Sequence, residues 1–288
     1  MSARNVYGGL TGSDYMILAA ARLIRPGECA FVGVGLPGSV AFLARELNEE
    51  QSTLFYESGC IDSSPSFPPL SVADAELAET ALVIVPTHEI FNYWVQAGRI
   101  DVGVLGAAQI DKFGNINTTV IGDYRKPNVR LPGAGGATTI AGFAKRTLAV
   151  IAHSNRAFVE RVDFITTPGV CDRDGGQSRR SMGVMGAGVN AIITDMGVLE
   201  PNAQMTEFEL VQTHPGITTD DVRHATGWDL VVGSGARVTP NATSSEIEKL
   251  HHLNRALRYR DEEAHSVGSF PRVDASLDAQ QISKVNHE

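Results

Sequence analysis

Residues 28–47 read ECAFVGVGLPGSVAFLAREL, and the order of residue types in this stretch decides the fold class. A short apolar run ends in glycines, and SVAFLAREL then resumes a helical spacing, so the order is strand, glycine loop, helix. Working outward, a second strand-like run, STLFYE (52–57), follows after about a dozen residues. Residues 81–106 supply ALVIVPT, then a helical FNYWVQAG, then IDVGVLG, which predicts a β-α-β unit. Further apolar strands are predicted in TLAVIAH (147–153), VDFITTPG (162–169) and NAIITDMGVL (190–199). Short apolar strands alternating with helices predict an α/β fold, a mainly parallel open sheet covered by helices on both faces.

Helices are predicted at both ends. GSDYMILAAARLIR (12–25) places Met16, Leu18, Ala19, Leu23 and Ile24 at helical spacing behind a Ser13 cap and stops at Pro26-Gly27. SSEIEKLHHLNRALRYR (244–260) sets Ile247, Leu250, Leu253 and Leu257 on one side, behind a capping box of Ser245 and Glu248. Residues 1–265 are read as one domain, and the polar, aperiodic residues 266–288 as a C-terminal arm or tail.

Composition narrows the function classes. The 288 residues carry 24 basic and 33 acidic side chains, a formal charge of −9, which argues against nucleic acid as a partner. Apolar residues make up 43% and charged residues 20%, a balance that supports a large buried core. No apolar run is long enough to span a membrane, and MSARNVYGGL lacks the apolar region of a signal peptide, so a cytoplasmic location is expected. Cys29, Cys60 and Cys171 are odd in number and far apart, which suggests reduced thiols rather than a disulfide framework or a zinc site. Adjacent His251 and His252 point about 100° apart on a helix and make a poor chelating pair, and His88-Glu89 reads as a cap or surface pair, so no metal is expected. Gly175-Gly176-Gln177 with Arg179 and Arg180 reads as a mobile surface loop, and no G-x-S-x-G elbow is present.

Gly33-Val34-Gly35-Leu36-Pro37-Gly38 matches G-x-G-x-x-G between a strand and a helix, and Glu57 follows at the end of another strand. Against a dinucleotide site, a helix precedes this loop, and Pro37 removes one N–H donor from the turn. Nucleotide binding, a plain structural turn and another anion-stabilising role all remain open for the loop. In Tyr56-Glu57-Ser58-Gly59 a carboxylate ends an apolar strand just before a glycine turn. A carboxylate held rigidly and partly desolvated is strengthened as a nucleophile or base.

With Glu57 in place, a series of blocks resembles the β subunit of family I coenzyme A transferases, of the glutaconate CoA-transferase type. The blocks are VGVGLP (32–37), ESGCIDSSP (57–65), GAAQIDKFGNINTTVIGDYRKP (106–127), GAGGA (133–137), TTPGVCD, IITDMGVL, and HPGIT to TGWDL (214–230), in the same order over roughly residues 12–232. The resemblance implies a ping-pong transfer in which a glutamate attacks an acyl-CoA thioester, and Glu57 with Gly59 matches the E-x-G motif that carries it. It implies further that Gly33 and Gly35 of the first loop, and Gly133, Gly135 and Gly136 of a G-x-G-G motif, approach coenzyme A and supply oxyanion donors. Coenzyme A would be a substrate, with no tightly bound cofactor and no metal.

Gln109, Asn115 and Asn117 read mainly as parts of a turn at Gly114, with orientation of substrate as the alternative. Arg125, Lys126 and Arg130 read mainly as a solvated face, with a CoA phosphate as the alternative. Transferases of this kind are built from two related halves, and 288 residues hold one, so an α-subunit partner in a hetero-oligomer such as α2β2 is expected, with the site between subunits. Three competing readings remain. One is a CoA-dependent hydrolase of the steroid-ring-degrading type, whose β chains lack the E-S-G block. The others are a nucleotide-dependent oxidoreductase using Gly33–Gly38, and a non-catalytic partner subunit.

Overall fold

A computed structural model describes residues 5–7, 9–33, 35–48, 51–69, 71–170 and 183–266. Cys171, the Gly175–Arg180 segment and the tail beyond 266 lie outside the described residues. The body is a sheet of ten strands. From one edge to the other they run Val232–Val238, Phe208–Thr213, Gly197–Pro201, Val189–Ile193, Arg146–Val150, Val102–Gly106, Cys29–Val32, Thr53–Phe55, Cys60–Ile61 and Val83–Ile84. The five central strands, Val189–Ile193 to Thr53–Phe55, are mutually parallel, and antiparallel pairs occur only on their flanks.

Alternation along the central strands divides the core into two faces. Ala30, Val32, Leu54, Tyr56, Val102 and Val104 pack beneath the helices Gly12–Ala21, Leu36–Leu47 and Ser244–Ser266. Phe31, Phe55 and Leu105 point the other way, onto the π-helical turn Ile90–Val95 and the helix Ala137–Phe143. Gly103 leaves room for Ile140 there, since a Cβ would overlap its side chain. Both faces are therefore covered, as expected of a parallel sheet.

The C-terminal helix docks through Leu250 and Leu253, both fully buried, with Ile247 and Leu257 packed beside them. Burying two leucines contributes about 4 kcal/mol. Its cap differs from the expected pair: the Thr243 hydroxyl accepts from Glu246 N, and Glu246 Oε2 accepts from Thr243 N at 2.7 Å. Arg22 donates two 2.8 Å bonds to the same Glu246 carboxylate, which favours a cap at this position over Ser245–Glu248. The first helix is capped likewise by Thr11 with Asp14 rather than by Ser13.

Two further expectations change. ALVIVPT and IDVGVLG do not form adjacent strands: Val83–Ile84 pairs with Cys60–Ile61 at the sheet edge, and Val102–Gly106 lies well inside the sheet, beside Cys29–Val32. VDFITTPG contains no strand, only a bridge from Thr167 to Ile116. Two strands that apolar spacing did not indicate, Phe208–Thr213 and Val232–Val238, complete the far edge.

Candidate active site

Parallel strands bring their C-terminal ends, and the loops that leave them, to one rim of the sheet. Phe31 pairs with Phe55, so the Gly33–Gly38 loop and the Glu57 turn leave neighbouring strands at the same level. Glu57 lies in a tight turn closed by Gly59 N donating to Tyr56 O at 3.0 Å and Tyr56 N donating to Cys60 O at 3.0 Å. Gly59 has φ +99, and any Cβ there would overlap the Val85 carbonyl oxygen. Val85 N in turn donates to Gly59 O, so the crossing backbone holds the turn in place. Glu57 is half-buried, and its carboxylate makes no hydrogen bond or ion pair among the described residues.

The loop Gly133–Ala137 comes to that carboxylate from the opposite side. A Cβ on Gly135 would lie 4.0 Å from Glu57 Oε2. Gly135 has φ +48 and Gly136 sits at φ −81, inside a turn closed by Ala137 N donating to Ala134 O at 2.9 Å. The Gly135 and Gly136 amides have no acceptor among the described residues. Gly136 rests on Phe91, whose Cζ would lie 2.6 Å from an added Cβ, and Phe91 in turn packs on Phe31 at 5.8 Å between ring centroids.

The predicted site glycines divide into two kinds. Gly35, with φ +74, caps the helix Leu36–Leu47 without a side-chain bond, in a first turn where Pro37 offers no N–H. Gly33, Gly59 and Gly133 spend their amides within the chain. Their amides are taken by Val104 O at 3.4 Å, Tyr56 O at 3.0 Å and Thr118 O at 2.8 Å. In the Gly133–Ala137 loop, the Gly135 and Gly136 amides are left without an acceptor among the described residues.

The polar stretch after Gly106 is consumed internally. Asn117 Nδ2 donates to Gln109 Oε1 at 2.7 Å and to Val120 O at 2.6 Å, and Asn115 Nδ2 donates to both Asp111 oxygens. Burial raises the Asp111 pKa, opposed by the bonds from Asn115 and Phe113. Gln109, Asn115 and Asn117 thus build the turn through bonds to one another, to Asp111 and to Asp163. Arg125, Lys126 and Arg130 are exposed, and Arg130 stacks over Tyr124 at 4.8 Å.

Cys29 and Cys60 are free thiols, and burial pushes Cys29 up. His252 meets Glu46 at 2.7 Å on the protein's flank. Among the described residues no cluster of His, Cys, Asp or Glu gathers as metal ligands, and no helix is long and apolar enough to cross a membrane. Phe91 and Val85, which support the two glycine turns, carried no sequence signal because each is recognised only by the distant glycine it touches.

The family model for coenzyme A transferases matches residues 14–225, and the chain belongs to that family. It is 50% identical over 253 residues to the β-type subunit of 3-oxoadipate CoA-transferase from Pseudomonas knackmussii, covering 88% of this chain and 95% of that one. It is 33% identical to the β-type subunit of glutaconate CoA-transferase from Acidaminococcus fermentans over 238 residues, 81% of this chain and 88% of the relative. The solved structure of the Acidaminococcus glutaconate CoA-transferase superposes with a TM-score of 0.77 at 31% identity, over 84% of this chain and 94% of that chain. The enzyme class is thus transferase, which sets aside the oxidoreductase reading of the Gly33–Gly38 loop.

Proposed function

We propose that this chain is the catalytic β-type subunit of a transferase that moves coenzyme A between short dicarboxylic acids of the 3-oxoadipate kind, with Glu57 as the nucleophile. The observation that carries the reading is the Glu57 carboxylate lying against Gly135, with the carboxylate and the Gly135 and Gly136 amides all without a partner among the described residues. The half-identical relative supports the choice of acid.

In the first half-reaction a Glu57 oxygen adds to the acyl-CoA carbonyl, and the oxyanion is met by the backbone amides. Collapse breaks the C–S bond and releases CoA thiolate, leaving an acyl-glutamyl anhydride. The thiolate then attacks the glutamyl carbonyl, the first acid departs as its carboxylate, and a glutamyl-CoA thioester remains. A second carboxylate repeats these steps in reverse and restores Glu57. Each step exchanges one acyl bond for another, so the groups of this chain that are needed are a nucleophile, oxyanion donors and exclusion of water. A companion α-type subunit, implied by the two-subunit naming of the relatives, would complete the site.

Co-expressed with its companion, the protein should acquire a CoA adduct on the Glu57 peptide when given 3-oxoadipyl-CoA, and Glu57→Ala should not. Hydrolysis of the thioester without an acid acceptor, and without an adduct, would support the hydrolase reading instead.

A further inference from the structure

The threonine pair in TTPG, residues 166–169, lies far from Glu57 in sequence and is not a ligand to anything in the reaction described above. Its bonds nevertheless converge on the Gly133–Ala137 loop from both ends. On the entering limb, Leu131 N donates to Thr119 O at 3.0 Å and Gly133 N donates to Thr118 O at 2.8 Å. Thr118 N donates to Thr166 Oγ1 at 3.0 Å, and the Thr119 and Thr166 hydroxyls lie 2.6 Å apart. On the leaving limb, Thr138 Oγ1, in the first turn of the helix after the loop, donates to Thr166 O at 2.9 Å. Thr166 N donates to Ile116 O at 2.9 Å, and Gly169 N donates to Asn115 Oδ1 at 2.8 Å, which anchor this brace to the buried Gly114 turn.

We infer that Thr166 is a positioning residue, joining both limbs of the Gly133–Ala137 loop so that the Gly135 and Gly136 amides stay aimed at the carbonyl under attack by Glu57. The inference rests on the reading of Glu57 as nucleophile. Thr166 is only 8% exposed and all its polar atoms are used within the chain, so it acts through the loop rather than on substrate. A donor displaced by a fraction of an ångström loses much of its value only where charge develops, so the effect falls on the transition state more than on binding.

The test compares wild type, Thr166→Val, Thr166→Ser and Thr138→Val, each co-expressed with the companion chain and mixed with 3-oxoadipyl-CoA in a single turnover. Thr166→Val should slow formation of the Glu57–CoA adduct about tenfold or more per folded site, with the KM for acyl-CoA changed less than about twofold. Thr166→Ser, which keeps the hydroxyl, should recover most of the rate. Thr138→Val removes one bond from the other limb, leaves a variant that folds if Thr166→Val does not, and should give a smaller loss of the same kind. Equal adduct rates per folded site in wild type and both valine variants would overturn the brace while leaving Glu57 in its role. Failure of the wild type to form an adduct would overturn the Glu57 reading itself.

Discussion

Gly135 lies against Glu57 so closely that a Cβ on it would stand 4.0 Å from Oε2. This contact joins two segments almost eighty residues apart in sequence. It brings the carboxylate and the loop that carries two amides without an acceptor among the described residues to one space. Replacing Gly135 with alanine adds a methyl group to that space and forces a residue with a Cβ to φ +48. Gly135→Ala should cost about 1 kcal/mol of stability and lower kcat about tenfold or more. Denaturant titration and steady-state kinetics on the same preparation separate the two effects.

Gly136 answers to a different neighbour. An alanine there would press its Cβ to 2.6 Å and 2.8 Å from two atoms of the Phe91 ring, so Gly136→Ala should cost about 2 kcal/mol and lower activity by moving the loop. Phe91→Leu removes those ring atoms. The double variant should be more stable than the sum of the two single losses, a coupling that a double-mutant cycle measures directly.

The bidentate Arg22–Glu246 pair ties the first helix to the C-terminal one, and hydrogen bonds from Arg22 hold the Glu246 carboxyl down to about 2 against an ordinary 4.5. A lowered carboxyl pKa stabilises the fold above the unfolded value, and this contribution disappears as pH falls through the folded one. Glu246→Gln should therefore cost about 1 kcal/mol at pH 7. The difference from wild type should shrink as pH falls from about 4.5 toward 2. Urea titrations across that window give the answer.

Two buried histidines set the acid limit. His153 stacks on Phe158 at 3.7 Å between the Thr194 and Thr226 hydroxyls, and burial lowers its pKa to about 3. His214 is lowered to about 4, chiefly by burial, with Thr239 and the Thr194 carbonyl as its partners. Both are neutral in the fold and take up a proton on unfolding, so their contribution is complete above pH 6.5 and is lost as pH falls below it. Each should steepen the loss by about 1.4 kcal/mol per pH unit. His153→Gln should reduce the slope of stability against pH between about 6 and 4 by one such share.

The central strands were legible in sequence because each is a short apolar run bounded by glycine or proline, buried on both faces. The flanks were not. FELVQT sets Leu210 beside Val211 and Gln212 beside Thr213, breaking the alternation of a half-buried strand, and VGSGARV carries two glycines, so neither resembles a strand by pattern. The helix caps shifted by about two residues because Thr11 and Thr243 each find an acid three positions on, and several nearby residues offered the same chemistry. Glu57 stood out as an acid at the end of an apolar strand. Which glycine amides are taken within the chain, and which glycines are needed for fit, was hidden, since the answer depends on Val104, Tyr56, Thr118, Val85 and Phe91, all recognised only once the chain is folded.

The central claim, covalent participation of Glu57, is tested most directly by following oxygen. After turnover with an acceptor acid labelled with heavy oxygen in its carboxylate, the anhydride route leaves one labelled oxygen on Glu57 and carries the other into the new acyl-CoA. Peptide mapping should find that label on the Glu57 peptide and on no other peptide. A fully active complex whose Glu57 peptide stays unlabelled, with both heavy oxygens recovered elsewhere, would contradict the account.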